Sequence, residues 1–250
     1  MKIKAFSIHE APLNIRCVMY SGEAAPRHIV LYCHGFSGSK DTRSAARFAE
    51  YMLPKYKDMA VISFDWPCHG EDVRKKLTLS DCDAYLSAVV RWIKETLRPQ
   101  TLDGYATSFG GYLTIKYAAE HGTPFRLLAL RCPAVNMHEV LSAMLTDTDR
   151  ALIAKGKDAP VGFYMKIAVS GAFLSELKAN DIAALDLRGC SDTMLILHGE
   201  RDEVVPFADG KAFAEDNLIE FLPVEGADHR FQNPVHMSLA TKAVLQFFAL

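Results

Sequence analysis

The composition of this 250-residue chain is that of a folded globular protein. Half of the residues are hydrophobic, 23% are charged, and there are only 15 glycines and 11 prolines. These proportions exclude a disordered, collagen-like or low-complexity chain, and a chain of this length can bury a core without help from disulfides or metals. The 28 basic and 30 acidic residues nearly cancel. Binding to nucleic acid or to an anionic membrane surface is therefore not expected.

The sequence has no segment typical of membrane insertion or secretion. The longest apolar stretches, such as residues 127–130 and 194–197, are far shorter than the roughly 18–20 residues that span a bilayer. Two lysines near the N-terminus are not followed by the apolar core of a signal peptide. The six cysteines are scattered without a Cys-x-x-Cys pair. We expect them to be buried thiols in a reducing compartment, which predicts a cytoplasmic protein.

Taken in chain order, the sequence predicts two antiparallel strands and then a repeated alternation of strands and helices. Residues 2–9 and 14–20 alternate in polarity and predict a hairpin. Six short apolar runs follow, most of them solid, as in strands covered by helices on both faces: residues 28–33, 60–64, 102–107, 127–132, 194–197 and 219–224. This pattern indicates an α/β fold with a mostly parallel sheet flanked by helices.

Helical spacing appears between the apolar runs, except in one long segment. Ala45, Phe48, Ala49 and Met52 recur on one helical face, and similar spacing is found in residues 86–93, 109–121 and 240–247. Residues 135–181 break this rhythm, because they are too many for a connection between a strand and a helix. We predict a core domain formed by residues 1–134 and 182–250, with residues 135–181 forming a small helical lid inserted after the sixth strand.

Three side chains typical of serine catalysis follow predicted strands. Ser108 comes directly after the strand at residues 102–107, Asp202 lies in the loop after the fifth apolar run, and His229 follows the last run. In an open parallel sheet, ligands bind where the carboxyl ends of the strands meet. The order serine, aspartate, histidine is that of the α/β hydrolases and differs from that of chymotrypsin.

From residue 28 onward the chain resembles an α/β-hydrolase-fold serine hydrolase of the esterase, lipase and serine aminopeptidase group. In the order of its elements and motifs it most resembles small cinnamoyl or feruloyl esterases and monoacylglycerol lipases. Such families carry a Gly-x-Ser-x-Gly turn between a strand and a helix. Here residues 106–110 read Ala-Thr-Ser-Phe-Gly, with alanine in place of the first glycine. The resemblance implies the α/β-hydrolase fold and a catalytic serine.

The resemblance also implies a role for each of these residues. Ser108 would be the nucleophile, His229 the base that takes its proton, and Asp202 the acid that orients the imidazole. The backbone N–H groups of Phe36 and Phe109 would form the oxyanion hole. No metal and no cofactor are expected, because this chemistry needs none and the sequence has no Gly-rich phosphate-binding loop.

Alternative interpretations of the triad residues stay open at this point. Ser108 could simply cap the helix that follows it. Glu200 or Glu203 could take the place of Asp202 as the acid, since all three lie in one loop. The position of His229 after the last strand distinguishes it from the other eight histidines, which we expect to be structural or solvated.

Two further histidine motifs resemble structural elements of the family. His34, in His-Gly-Phe at residues 34–36, resembles the histidine that begins the oxyanion loop and is structural there, and a direct catalytic part is the alternative. Asp65 and His69 resemble a structural turn of the family. A metal-binding pair is the alternative for them, although no third ligand is evident.

The lid composition suggests the substrate. Its apolar side chains could line an acyl or aryl pocket, or could only hold the lid on the core: Met137, Leu141, Met144, Phe163 and Tyr164. The predicted function is a serine carboxylesterase that cleaves small-molecule esters with an apolar or aromatic acyl part through an acyl-enzyme. The alternatives are an acyltransferase, a non-catalytic binding protein of the same fold, and an aminopeptidase that binds a free amine through Glu139, Asp147 or Asp149. The oligomeric state is left open.

Overall fold

The computed structural model describes residues 1–249, in which the strands form one eight-stranded sheet and a separate hairpin. The eight strands of the sheet are β1 (Lys2–Glu10), β2 (Leu13–Ser21), β3 (His28–Cys33), β4 (Met59–Phe64), β5 (Thr101–Thr107), β6 (Leu128–Arg131), β9 (Met194–Gly199) and β10 (Glu220–Val224). The hairpin consists of β7 (Ala159–Val161) and β8 (Ile167–Val169).

The large sheet has the order β1-β2-β4-β3-β5-β6-β9-β10. The first three strands in this order pair antiparallel, and all the other neighbours pair parallel. The prediction of a mostly parallel sheet preceded by an antiparallel hairpin is confirmed. The carboxyl ends of the parallel strands consequently meet at one edge of the sheet.

Residues 1–249 contain eight α-helices, seven between strands and one after the last strand. They are α1 (Arg43–Met52), α2 (Leu79–Trp92), α3 (Phe109–His121), α4 (Met137–Ala143), α5 (Asp147–Ala154), α6 (Gly171–Ala179), α7 (Phe207–Asn217) and α8 (Pro234–Phe247). A π-helical turn, Ile93–Leu97, extends α2, and a 3-10 turn, Arg188–Thr193, precedes β9. Every helix in this part of the chain is too short or too polar to span a lipid bilayer.

Both faces of the sheet are buried, which explains why the central strands are apolar at nearly every position. On β3, Leu31 belongs to the core beneath α2 and α3, whereas its neighbour Val30 belongs to the core beneath α1 and α8. Successive side chains of a strand point to opposite faces. A strand between two helical layers must therefore be apolar at odd and even positions alike.

Residues 135–181 lie between β6 and β9 and contain α4, α5, α6 and the hairpin β7–β8. The sequence predicts helices in this segment but not the hairpin, because two strands of three residues are too short to show a period. Backbone N–H groups at the hairpin turn donate to the Ser37 hydroxyl: Phe163 at 3.0 Å and Tyr164 at 3.4 Å. The segment thus contacts the loop after β3, and its function as a lid stays a prediction.

Candidate active site

Ser108 lies on the sharp turn between β5 and α3, at the carboxyl edge of the sheet. Its backbone adopts φ 52° and ψ −118°, a strained combination for a residue with a side chain. Its N–H donates to the carbonyl of Arg131 at 3.1 Å, and its own carbonyl accepts from Tyr112 at 3.0 Å. The Ser108 side chain makes no capping hydrogen bond to α3. The structure therefore does not support the interpretation of Ser108 as a helix cap.

Two small residues make room for this turn. Ala106, which replaces the usual glycine, has no exposed surface, and its methyl group packs in the core on the α2 and α3 face of the sheet. Gly110 lies so close to the backbone carbonyls of Cys33 and His34 that an added Cβ would collide with both. The first position of the turn accommodates a methyl group, and Gly110 allows α3 to approach β3.

His229 joins Ser108 and Asp202 in one hydrogen-bonded chain. The imidazole Nε2 lies 3.0 Å from Ser108 Oγ, and Nδ1 lies 2.7 Å from Asp202 Oδ2. A buried carboxylate at Nδ1 holds the proton on that nitrogen and leaves Nε2 as an acceptor facing the hydroxyl. This is the geometry that allows an imidazole to take the proton of a serine nucleophile.

The Asp202 carboxylate is fully buried and is held by several donors. Its Oδ1 accepts from the N–H groups of Val204 and Val205 at 2.9 and 2.7 Å. His198 Nε2 lies 3.3 Å from Oδ2 and 3.1 Å from the Val205 carbonyl, so this nitrogen must carry a proton. Burial acts to raise the pKa of Asp202, but the hydrogen bonds from His198 and His229 outweigh it and hold that pKa below its usual value.

The two neighbouring acids do not occupy the position of Asp202. Glu200 and Glu203 are both exposed, and among the described residues the Glu203 carboxylate accepts only from the backbone N–H of His229, at 3.3 Å. His198, a second histidine beside Asp202, was not predicted from the sequence. The sequence feature that could have indicated it is the position of His198 at the end of a strand, four residues before Asp202.

The backbone amides of Phe36 and Phe109 flank the nucleophile. Phe109 is the first residue of α3, so its N–H has no acceptor within the helix. Phe36 follows Gly35, where an added Cβ would lie 3.1 Å from Ser108 Cβ. Within residues 1–249 neither amide donates a hydrogen bond. Both are therefore available to an oxygen atom bound next to Ser108.

His34 begins the loop after β3, residues 34–38, is buried, and makes no hydrogen bond to Ser108, Asp202 or His229. Its Nδ1 lies 2.8 Å from the Gly35 carbonyl, and its Nε2 accepts weakly from the Trp66 N–H at 3.5 Å. Burial and the nearby His69 lower the pKa of His34 to about 3. The ring is therefore neutral at ordinary pH and holds the loop in place, which agrees with the structural role that the resemblance implies.

Asp65 and His69 form a turn that supports the same loop. The Asp65 carboxylate accepts from the N–H groups of Lys40 and Glu71 at 2.6 and 2.9 Å. His69 Nδ1 lies 2.8 Å from the Pro67 carbonyl, and burial lowers the pKa of His69 to about 4. Because backbone groups already bind both Asp65 oxygens, the arrangement matches a structural turn better than a metal pair.

Potential metal-ligating atoms come within 4.8 Å of one another in two places among the described residues: Cys132, His198 and Asp202, and Asp83, Glu120 and His121. The first group shares Asp202 with His229, and burial raises the pKa of Cys132 well above its usual value. A thiol that stays protonated is a poor metal ligand. The second group is largely exposed. The expectation of no metal stays a prediction.

A cavity of about 940 Å³ opens beside Ser108 and His229. Four of the predicted substrate-binding residues line it, namely Met137, Met144, Phe163 and Tyr164. Leu141 does not, because its side chain is fully buried in the core, and Val140 contributes to the lining in its place. We define the apolar wall of the cavity as Met137, Val140, Met144 and Met165.

The polar part of this cavity was not predicted from the sequence. The lining includes four arginines, which we call the basic wall: Arg43, Arg47, Arg131 and Arg230. The signal available in the sequence was Arg131, a charged residue at the end of an otherwise apolar strand. Charges are rarely placed at buried strand positions without a partner or a function.

Known proteins share this fold. A sequence model of the alpha/beta hydrolase fold matches residues 28–159, and the chain belongs to this family. Monoacylglycerol lipase abhd6-A of Xenopus laevis is 30% identical over 131 residues, covering 52% of this chain and 37% of the relative. Lysophosphatidylserine lipase ABHD12 of Danio rerio is 26% identical over 230 residues, covering 81% of this chain and 54% of the relative. The chain thus spans only part of the length of these curated relatives.

Solved structures resemble the whole chain. Est1E from Butyrivibrio proteoclasticus, solved with ferulic acid bound, superposes with a TM-score of 0.77 at 19% sequence identity, covering 98% of both chains. Alpha/beta hydrolase domain-containing protein 10 from mouse superposes with a TM-score of 0.73 at 15% identity, again covering 98% of both chains. At these identities the likeness shows the fold.

Proposed function

We propose that this protein is a serine carboxylesterase that cleaves esters with an apolar or aromatic acyl part through an acyl-enzyme intermediate. The observation that carries the proposal is the hydrogen-bonded chain from Ser108 Oγ through His229 to the buried Asp202, at 3.0 and 2.7 Å. Ser108, His229 and Phe36 all line one cavity, and the amide of Phe109, next to Ser108 in the chain, donates no hydrogen bond within residues 1–249, so a nucleophile, a base and oxyanion donors lie close together.

In the proposed reaction His229 Nε2 takes the Ser108 proton while Oγ attacks the ester carbonyl carbon. The N–H groups of Phe36 and Phe109 stabilise the negative charge that develops on the carbonyl oxygen, where one such donor contributes about 3–4 kcal/mol. The imidazolium then protonates the departing alkoxide. Water, deprotonated by His229, attacks the acyl-enzyme, and Ser108 regains its proton from the imidazolium. Asp202 stabilises the imidazolium in both halves.

The substrate class is supported by the cavity and by similar proteins. The four residues of the apolar wall provide a surface for an acyl or aryl group. The two curated relatives are named as lipases, and Est1E was solved with ferulic acid. The acids proposed for an aminopeptidase, Glu139, Asp147 and Asp149, do not line the cavity, and Asp41, whose carboxylate does line it, is paired with Lys40. The geometry therefore favours esters over peptides, and acyl transfer to an alcohol remains the alternative fate of the acyl-enzyme.

Labelling with a fluorophosphonate tests the nucleophile. The wild-type protein should be labelled and Ser108→Ala should not, because the reagent bonds to an activated serine oxygen. Ser39→Ala is the matched control, since Ser39 also lines the cavity but has no histidine partner. It should label like the wild type. Equal labelling of Ser108→Ala would contradict the assignment.

A substrate panel tests the reaction class. We expect p-nitrophenyl and hydroxycinnamate esters to be cleaved faster than aminoacyl amides, and we expect Ser108→Ala to lose this activity. The measurement is kcat/KM for each substrate, with product analysis in added alcohol to detect acyl transfer. Faster cleavage of the amides would favour the aminopeptidase alternative.

A further inference from the structure

The basic wall gives the cavity an excess of positive charge. One carboxylate, Asp41, also lines the cavity, and Lys40 pairs with it at 2.5 Å. In the chain as described, residues 1–249, the arginines that pair with a carboxylate lie elsewhere: Arg74, Arg91, Arg126 and Arg188. The four arginines of the basic wall therefore face the cavity without an acidic partner of their own.

Arg131 is the most unusual of the four because it is buried. Only 6% of its surface is exposed. Its Nη1 donates to Ser44 Oγ at 3.0 Å and lies 3.4 Å from Met237 Sδ, and its guanidinium lies 5.3 Å from the centre of the Phe231 ring. All three partners are uncharged. Buried charges are normally paired, since an isolated buried charge is strongly unfavourable.

The Nε–H of Arg131 is also buried and makes no hydrogen bond of normal geometry within residues 1–249, and the neighbouring Tyr105 hydroxyl is likewise buried and unsatisfied. A buried donor of this kind normally bonds to the protein, to water or to a ligand. The guanidinium presents its N–H groups in a planar fork that matches the two oxygens of a carboxylate or phosphate. The side chain thus lines the cavity with a charge that no acidic residue pairs within residues 1–249 and with a planar fork suited to an anion.

The N-terminus of α1 points to the same ligand. This ten-residue helix begins at Arg43, its N-cap Thr42 makes no side-chain capping bond, and its first turn has no acidic residue. Such a helix end has free N–H groups and a partial positive charge that favours anions. Ser44, in that first turn, contacts Arg131. The helix end and the buried guanidinium therefore converge on one side of the cavity.

We propose that this side of the cavity is an anion subsite in which Arg131 and the N-terminus of α1 bind a carboxylate or phosphate carried by the substrate. This anion subsite rests on the carboxylesterase function proposed above, and it specifies the substrate class further. The substrate is an ester with an apolar group against the apolar wall and an anionic group against the basic wall. Arg43 and Arg47, which are less buried than Arg131, add attraction at the cavity entrance.

Matched ester pairs test the proposal on the wild-type protein. In the first pair, 4-carboxyphenyl butyrate is compared with 4-carbamoylphenyl butyrate, and the charge lies on the alcohol part. In the second pair, the 4-nitrophenyl monoester of adipic acid is compared with its terminal amide, and the charge lies on the acyl part. 4-Phosphonooxyphenyl butyrate substitutes a phosphate. At least one anionic ester should exceed its neutral partner in kcat/KM by about tenfold or more, the effect of one charge-assisted hydrogen bond. The preferred pair identifies the anion and its side of the ester.

Single-residue variants then locate the subsite. Arg131→Gln should reduce the ratio of anionic to neutral kcat/KM about tenfold or more. Arg43→Gln and Arg47→Gln, which leave the buried side chain in place, should reduce it less and in a salt-dependent manner. Lys94→Gln is the control, because it removes a positive charge at an exposed position beyond the end of α2. It should keep the ratio.

The outcomes separate this proposal from the proposed function. Equal cleavage of every pair by the wild type would overturn the anion subsite, and so would a preference that survives all three arginine substitutions. If no ester is cleaved, the proposed carboxylesterase function is wrong. Titration calorimetry of Ser108→Ala with phenyl phosphate and 4-hydroxybenzoate then tests anion binding at the subsite independently of catalysis. Binding that Arg131→Gln abolishes supports it. Absence of binding to Ser108→Ala overturns it.

Discussion

Single residues of the site are held in states that an isolated chain would not adopt. Ser108 has a positive φ, and the hydrogen bonds of its backbone to Arg131 and Tyr112 hold it there. Asp202 keeps a depressed pKa despite complete burial, because two histidines donate to it. Each of these states is unfavourable alone and is stabilised by neighbours that are distant in the chain.

Two buried neutral histidines predict acid sensitivity. His34 and His69 have pKa values of about 3 and about 4 in the folded protein, mainly because of burial, against about 6.5 in an unfolded chain. Between pH 6.5 and about 4 the unfolded chain binds more protons than the folded one. The free energy of unfolding should therefore decrease as the pH is lowered, by up to about 1.4 kcal/mol per pH unit for each histidine.

Denaturant unfolding from pH 7 to pH 4.5 measures this effect. His69→Phe keeps an aromatic ring against Phe36 and Phe109 but cannot be protonated. It should lower stability at pH 7, since its bond to the Pro67 carbonyl is lost, and should flatten the pH dependence. His9→Gln, at an exposed position of β1, should keep the wild-type slope. A slope unchanged by His69→Phe would contradict the prediction.

At the level of elements, the hairpin β7–β8 is attached to the loop that carries Phe36. The Ser37 hydroxyl accepts from Phe163 and Tyr164, and Arg230 lies 4.4 and 5.0 Å from the centres of their rings. Both aromatic side chains are largely exposed. The tip of the hairpin is thus held by polar contacts at the cavity entrance, which are weaker than the core packing that holds Met165 and the buried residues of its two strands.

Ser37→Ala should loosen this hairpin. Loss of one acceptor costs about 1 kcal/mol, so hydrogen exchange of the Phe163 and Tyr164 amides should become about fivefold faster. The measurement is native-state exchange by NMR. Ser175→Ala is the control, since Ser175 only bonds to its own helix at the surface, where its hydroxyl donates to Gly171. Unchanged exchange at both amides in Ser37→Ala would show that the hairpin is held by other contacts.

For the whole molecule, packing on both faces of the sheet supplies the stability without crosslinks. All six cysteines are free thiols, and four of them are buried. Burial raises the pKa of Cys17 to about 12 and that of Cys68 to about 11. Such thiols are inert, because the thiolate is the reactive form. The reducing compartment and the cytoplasmic location expected from the sequence stay predictions.

The thermal stability should therefore not depend on redox conditions. We expect the same Tm with and without a reductant, and six titratable thiols per chain in denaturant. The same titration of the native protein should be slow, as buried and protonated thiols react slowly. Fewer than six thiols in denaturant, or a lower Tm in reductant, would indicate a disulfide.

The sequence by itself determined the strand order along the chain, the flanking helices and the position of Ser108, Asp202 and His229 at strand ends. These features can be predicted from the sequence alone, because side-chain periodicity depends on local backbone geometry and the ends of parallel strands follow general rules of sheet topology. The replacement of glycine by Ala106 could not be judged in this way, because it depends on the space that the core leaves for one methyl group.

Only the tertiary structure decided what surrounds the nucleophile. The short strands of the hairpin carry no periodic signal, and Leu141 turns to the core although its spacing also suited the pocket. The basic wall combines arginines from α1, the end of β6 and the loop after β10. Their convergence depends on long-range packing, which brings together residues that no local pattern connects.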